Sequence, residues 1–93
     1  MSSVRVTVTA FGLWQMILGN KRWRVETEGH TLRDLINRLN EIASSKLENE
    51  VLASDGSLDP KFRIFVNGNA CDTLSATVAD GDDVLLFSVI DGG

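Results

Sequence analysis

Residues 31–42 have the spacing of an amphipathic helix, and segments with the period of β-strands lie on both sides of them. Thr31 and Asp34 predict a capping box at the start of this helix, with Asp in place of the usual Glu or Gln. The apolar residues that follow recur at helical spacing and are Leu32, Leu35, Ile36, Leu39 and Ile42. A helix with one apolar stripe has to pack on another apolar surface, so we expect it to lie on a sheet.

The segments before this helix predict an opening hairpin. Residues 4–9 alternate between valine and polar side chains, which is the period of a strand with one buried face. Residues 22–27 alternate again, with Trp23, Val25 and Thr27 on one side. Between them, residues 11–18 are apolar and predict a short helix or a structured loop.

The segments after the helix predict the rest of the sheet. Residues 61–67 form a strand pattern that ends at the turn signal Asn67-Gly68. A short edge segment is expected around residues 71–77. A second tight turn at residues 80–83 leads into the apolar run of residues 84–90, which is typical of a strand buried on much of both faces.

This order of elements predicts an α+β protein. It allows the first and last strands to lie side by side at the centre of the sheet, with the helix on the concave face. That architecture is the β-grasp, or ubiquitin-like, fold, with a mixed sheet of four to five strands and one main helix. A chain of 93 residues predicts a single domain, residues 1–93, with a flexible Gly-Gly tail over about residues 88–93.

Composition excludes several classes of function. No apolar run approaches the roughly 20 residues of a membrane span and no signal peptide precedes the first strand, which predicts a cytoplasmic protein. One cysteine, Cys71, and one histidine, His30, predict no internal disulfide and no metal site. Cys71 is interpreted as a partly buried structural thiol and His30 as an exposed loop residue. The net charge of −4 argues against nucleic acid and favours a partner with a basic surface.

The chain ends in Gly92-Gly93, which presents a free α-carboxylate on a slim stem. Attack of this carboxylate on the α-phosphate of ATP makes an acyl adenylate, and a sulfur nucleophile can then displace AMP to leave a thiocarboxylate. The acid, base and metal groups for these steps belong to a separate activating enzyme. That enzyme uses the ATP, and we expect this chain to hold no stably bound cofactor. The alternative is that Gly-Gly is only a frayed end.

Five motifs, in this order, resemble the MoaD/ThiS family of ubiquitin-like sulfur carriers. They are Phe11-Gly-Leu-Trp-Gln-Met-Ile-Leu-Gly19 after the first strand, Thr31-Leu-Arg-Asp-Leu35 at the helix start, the turn in Phe65-Val-Asn-Gly68, Asp80-Gly-Asp-Asp-Val84 before the last strand, and the terminal Gly92-Gly93. The resemblance implies that Gly93 is adenylated by an E1-like enzyme of the MoeB/ThiF type and converted to a thiocarboxylate.

In the MoaD branch, the resemblance further implies that the carrier inserts its tail into a MoaE-like large subunit and supplies the dithiolene sulfurs of molybdopterin. The chain is then a small subunit and co-substrate, without catalysis of its own. Residues 44–60 are longer than a minimal ThiS-like carrier needs, which favours MoaD. Where many MoaD proteins end in Pro-Pro-Val-Ser-Gly-Gly, this chain ends in Ser88-Val-Ile-Asp-Gly-Gly93, so the prolines that stiffen such a tail are missing.

Strand alternation also predicts a docking surface. With Phe62, Ile64 and Val66 inward, Arg63 and Phe65 face outward, as do either Leu85 and Phe87 or Leu86 and Ser88. The predicted partner-binding residues are Phe65 and Phe87, together with the tail residues Ile90, Asp91 and Gly92. The alternative is that the chain's own loops cover both phenylalanines.

Three other functions stay open. A ThiS-like carrier would supply thiamine or another sulfur-containing metabolite. A ubiquitin-like modifier would be joined through Gly93 to substrate lysines. A plain interaction module would have an idle tail.

Overall fold

A computed structural model describes residues 3–19, 21–43, 47–71 and 73–89. These residues form one sheet with helices packed against it. The strands are β1 (Ser3–Ala10), β2 (Arg22–Glu28), β3 (Phe62–Val66), β4 (Asn69–Cys71) and β5 (Asp83–Ser88). The helices are α1 (Leu13–Leu18), α2 (Leu32–Ile42) and α3 (Leu47–Val51). In the described part of the chain, no helix is long and apolar enough to cross a membrane.

The five strands lie in the order β2-β1-β5-β3-β4. β1 and β5 are parallel neighbours at the centre of the sheet, and the other neighbouring pairs are antiparallel. A parallel pair needs a crossover connection, which the chain supplies through β2, the helices, β3 and β4. The predicted β-grasp arrangement, with the first and last strands side by side, is therefore confirmed.

The core lies between the sheet and α2. Leu35, Ile36 and Leu39 of the predicted stripe are fully buried against the inward-facing valines of β1. Ile42, the last residue of the stripe, is 43% exposed. It lies at the end of the helix, beyond the part covered by the sheet, so the prediction that the stripe extends to Ile42 was wrong.

The backbone N–H groups at the start of α2 form hydrogen bonds both with neighbouring side chains and with a segment distant in the sequence. The capping box is present: the Thr31 hydroxyl accepts from the Asp34 N–H, and the Asp34 carboxylate accepts from the Thr31 N–H. The next free donors, the N–H groups of Leu32 and Arg33, bond to the carbonyls of Ala76 and Leu74 at 2.9 Å each. The four N–H groups that a helix start leaves unpaired find partners here in these two ways.

The segment of residues 73–78 therefore caps α2 and is not an edge strand. The predicted edge strand around residues 71–77 was misplaced, because β4 starts directly after the turn and ends at Cys71. Asn67 and Gly68 have φ angles of 52° and 85°, as a tight two-residue hairpin turn requires. This turn was predicted, and it holds β4 close to β3.

The prediction that the last strand is buried on both faces was wrong. Val84, Leu86 and Ser88 of β5 are buried, while Leu85 is half-buried and Phe87 is 43% exposed. The helices cover only one face of the sheet, so the apolar side chains on the other face meet solvent. This outer face is where the sequence placed the docking residues.

Candidate functional site

The residues predicted to carry the chemistry are at the end of the chain. Gly93, Gly92, Asp91 and Ile90 lie outside the described residues. The structure describes the chain as far as Val89, together with the surfaces on either side of that point. The base of the tail at Val89 and the outer face of the sheet form the described part of the site.

An apolar patch, formed by Phe65, Leu85 and Phe87, lies on the outer face. Phe65 is directly opposite Leu85 in the β3–β5 register, and Arg63 is opposite Phe87. Phe65 and Leu85 are half-buried, and Phe87 is exposed. Of the two orientations left open by the sequence, the structure has Leu85 and Phe87 outward. The role of Phe65 and Phe87 in binding a partner stays a prediction.

A shallow depression of about 420 Å³ lies beside the patch. It crosses four neighbouring strands, β2, β1, β5 and β3, and its lining includes Thr9, Arg22, Phe65, Asp83 and Leu85. Its floor is apolar and its rim is charged. Such a depression is suited to a side chain from a partner protein, since anchor residues bind in desolvated pockets surrounded by polar groups.

Arginines surround the apolar patch. Arg22 is opposite Thr9 and Arg24 is opposite Thr7 on one side of the patch, while Arg63 borders the other side. All three side chains are exposed, and none forms an ion pair with another described residue. A fourth arginine, Arg5, lies 3.7 Å from Glu26, which partly neutralises it. We call Arg22, Arg24 and Arg63 the basic rim.

Acidic residues lie on both sides of the sheet. Glu41 is on α2 and Glu48 and Glu50 are on α3, on the helical side, while Asp83 is opposite Thr7 on the outer face and lines the depression together with Arg22. The net charge of −4 therefore does not by itself describe the surroundings of the patch, where three arginines border it and Asp83 lines the depression beside it. The expectation of a partner with a basic surface stays a prediction, while the basic rim next to the patch favours acidic groups on the partner there.

The other two candidate side chains, Cys71 and His30, do not belong to the apolar patch or the basic rim. Cys71 is half-buried at the end of the edge strand β4, with its Sγ 3.7 Å from the Asn69 carbonyl. His30 is exposed in the loop before α2, as the sequence predicted. Within residues 3–19, 21–43, 47–71 and 73–89, no three His, Cys, Asp or Glu side chains are grouped to hold a metal ion.

Two sets of residues at the site were not found by reasoning from the sequence. The two arginines of the basic rim on β2, Arg22 and Arg24, were visible only as polar positions in an alternating strand, and their proximity to the patch depends on the strand order. Trp14 donates to the Phe87 carbonyl and Ser88 accepts from the Leu13 N–H, although Trp14 and Ser88 are 74 positions apart in the chain. Neither set has a local sequence signal.

The sheet order, the parallel central pair and the long helix packed across one face define a ubiquitin-like β-grasp protein. The sequence model of the ThiS family matches residues 8–93. The chain belongs to the ThiS family. The match extends from the first strand to the terminal glycine and confirms the resemblance to MoaD/ThiS sulfur carriers.

Curated and solved relatives agree with this assignment. A protein of Archaeoglobus fulgidus named "putative sulfur carrier protein" is 35% identical over 72 residues, which cover 74% of this chain and 81% of the relative. SAMP1 from Haloferax volcanii is 28% identical with a TM-score of 0.81, over 96% of this chain and 99% of that one.

A third relative is named after the molybdopterin pathway. The "putative molybdopterin converting factor, subunit 1" from Pyrococcus furiosus is 28% identical with a TM-score of 0.74, over 94% of this chain and 99% of that one. The names of these relatives describe a sulfur carrier, a small modifier protein and a subunit of a molybdopterin converting factor. They agree on a sulfur-carrier and ubiquitin-like family and differ on the pathway.

Proposed function

We propose that this chain carries sulfur as a thiocarboxylate on Gly93 and donates it to molybdopterin synthesis. The observation that carries the proposal is the family match, which ends at Gly93, the last residue of the chain. Leu85 and Phe87 of the apolar patch lie on β5, and Phe87 precedes Gly93 by six residues in the sequence. A partner that binds the patch therefore docks next to the strand from which the chain continues to Gly93.

The chemistry needs two steps on the carboxylate. A Gly93 oxygen attacks the α-phosphorus of ATP, the bond to pyrophosphate breaks, and an acyl adenylate forms. A sulfur nucleophile at the oxidation level of hydrosulfide then attacks the acyl carbon, AMP leaves, and a thiocarboxylate remains. An E1-like enzyme of the MoeB/ThiF type supplies the catalytic groups, and ATP is consumed there.

The partner for sulfur delivery is a MoaE-like large subunit. Its support is the similarity to a relative whose name describes it as one subunit of a converting factor. Phe65 and Phe87 give such a partner an apolar anchor site, and the basic rim favours a partner with acidic groups around its own anchor. Ile90, Asp91 and Gly92 lead the terminal glycine into the partner. All these partners and ATP are available in the cytoplasm, where we place the reaction.

The experiment is intact-protein mass spectrometry after incubation with the E1-like enzyme, ATP and a sulfur donor. We expect a mass increase equal to the replacement of one oxygen by sulfur. A chain with Gly93 deleted is the control and should show no increase. Absence of the increase in the full-length chain, with an enzyme that activates its own known carrier, would contradict the proposal.

A second function is favoured by one observation, the similarity to SAMP1, a small archaeal modifier protein. In that case, a lysine ε-amine of another protein attacks the same activated Gly93, and an isopeptide bond forms. Conjugates that survive denaturing gels with reducing agent would support the modifier. A thiocarboxylate that converts a molybdopterin precursor, without such conjugates, would support the carrier.

A further inference from the structure

Three consecutive residues at the end of β5 are bonded to the segment around α1. The Phe11 N–H donates to the Leu86 carbonyl at 2.9 Å. The Trp14 indole N–H donates to the Phe87 carbonyl at 3.0 Å. The Leu13 N–H donates to the Ser88 hydroxyl at 3.0 Å.

The residue directly after β5 is also hydrogen-bonded, to the segment that leads into β3. The Val89 N–H donates to the Lys61 carbonyl at 2.7 Å, just before β3 begins. Val89 is the last described residue before the tail. The chain is thus bonded on both sides up to the base of the tail.

The contact between Gly12 and Ser88 is close enough to require glycine. Gly12 has a φ of 63°, and a Cβ at this position would collide with the Ser88 Oγ. Gly12 offers no side chain to cap α1, and the Ser88 hydroxyl accepts from the first helical N–H in its place. Ser88 is only 5% exposed, so loss of its hydroxyl takes this partner away from the part-buried Leu13 N–H.

Trp14 is fixed in turn by the core. It is fully buried, and its ring meets Phe62 edge-on, with centroids 5.2 Å apart and an interplanar angle of 74°. The indole N–H therefore points at the Phe87 carbonyl from a rigid position. Phe87 contributes its side chain to the apolar patch and its carbonyl to this contact.

We infer that Trp14 and Ser88 are positioning residues, which fix the direction in which the tail leaves the sheet relative to the docked partner. Residues 90–93 span at most about 14 Å when fully extended, so the backbone direction at Val89 limits where the terminal carboxylate can reach. A fixed direction also reduces the conformational entropy lost when the tail enters an active site. The inference rests on the proposed function.

The hydrogen bonds at Phe87, Ser88 and Val89 restrict the backbone before the tail, as prolines would in a stiff tail. The one proline of the chain is Pro60, so no proline stiffens the segment around Ser88 and Val89. A proline at residue 89 has no N–H to donate to the Lys61 carbonyl, and a proline at residue 88 has no hydroxyl for the Leu13 N–H. The two ways of holding the tail exclude each other.

The test compares Ser88→Ala and Trp14→Phe with the unmodified full-length chain. The measurement is ATP–pyrophosphate exchange by the E1-like enzyme as a function of carrier concentration. We expect the apparent kcat for activation of either variant to fall about tenfold, since small misplacements of a reacting group reduce rates strongly. The KM should stay within about twofold, because the apolar patch that sets docking is intact.

Met16→Ala is the matched control, since Met16 lies on the same helix and is 77% exposed. Circular dichroism at the assay temperature checks that each variant is folded. Folded variants with an unchanged kcat, or with a raised KM at unchanged kcat, would overturn the inference. No activation of the unmodified chain would instead show that the proposed function fails.

Discussion

At the residue scale, the Thr31–Asp34 pair links helix formation to pH. The Thr31 hydroxyl and N–H both donate to the Asp34 carboxylate, at 2.8 and 3.2 Å. The hydrogen bond from the Thr31 side chain is the main cause that lowers the pKa of Asp34 below its usual value of 3.8, and the bond from the Thr31 backbone adds to it. The ionised form of Asp34 is thus favoured in the folded protein.

We predict that Asp34→Asn lowers the melting temperature at neutral pH and has little effect in acid. The folded-state pKa of Asp34 is below its unfolded value, so the stabilisation is complete above about pH 4 and is lost as the pH falls through the folded-state pKa. At neutral pH, Asp34→Asn should lower the free energy of unfolding by at most about 1 kcal/mol, as for other helix caps. Thermal unfolding from pH 7 to pH 2 measures this loss, with Glu50→Gln on α3 as control. A loss that is independent of pH would contradict the prediction.

At the element scale, α2 is stabilised by a stripe that is shorter than its sequence pattern. Leu39 is fully buried in the core, while Ile42, about one turn further, is 43% exposed. The difference arises because burial depends on how far the sheet extends under the helix. Periodicity alone gives the face of a helix, and the packing partner decides how much of that face is used.

We predict that Leu39→Ala costs about 2 to 5 kcal/mol of unfolding free energy, because it leaves a cavity in the core. Ile42→Ala on the same helix should cost less than about 1 kcal/mol, because its side chain already meets water. Urea denaturation followed by circular dichroism measures both. Equal costs for the two variants would show that α2 packs differently from this description.

At the scale of the whole molecule, arginines are grouped around the apolar patch although the chain as a whole is acidic. Arg22, Arg24 and Arg63 border the patch, while Glu48 and Glu50 lie on α3 on the helical side. An acidic chain can therefore present arginines at its docking face. Long-range attraction to an acidic partner then speeds association, while the apolar contacts govern dissociation.

We predict that Phe87→Ala weakens binding to the E1-like enzyme at least about tenfold, through faster dissociation. Arg22→Glu should act mainly on the association rate and reduce its dependence on salt. Glu50→Lys, a charge reversal on the helical side, is the matched control for the arginine variant. Surface plasmon resonance at several salt concentrations separates the two rates. A salt response that is unchanged in Arg22→Glu would contradict the role of the basic rim.

Local patterns were sufficient for much of this description. The capping box, the inward faces of β1 and β3, the Asn67-Gly68 turn and the order of elements depend on interactions between residues close in the chain. Propensity and periodicity report such interactions directly. The central β1–β5 pairing also followed, because few connections are compatible with that order. The terminal Gly92-Gly93 motif is recognised from the sequence alone.

The tertiary structure determined the features that depend on contacts between residues far apart in the sequence. The register between β3 and β5 turned Leu85 and Phe87 outward, and the strand order brought the arginines of β2 to the same face. The edge strand predicted over residues 71–77 was displaced because that segment has α2 as its partner. Ser88 meets Gly12 across nearly the whole chain. Sequence determines such contacts only through the folded sheet, since no local energy favours them before the strands pair.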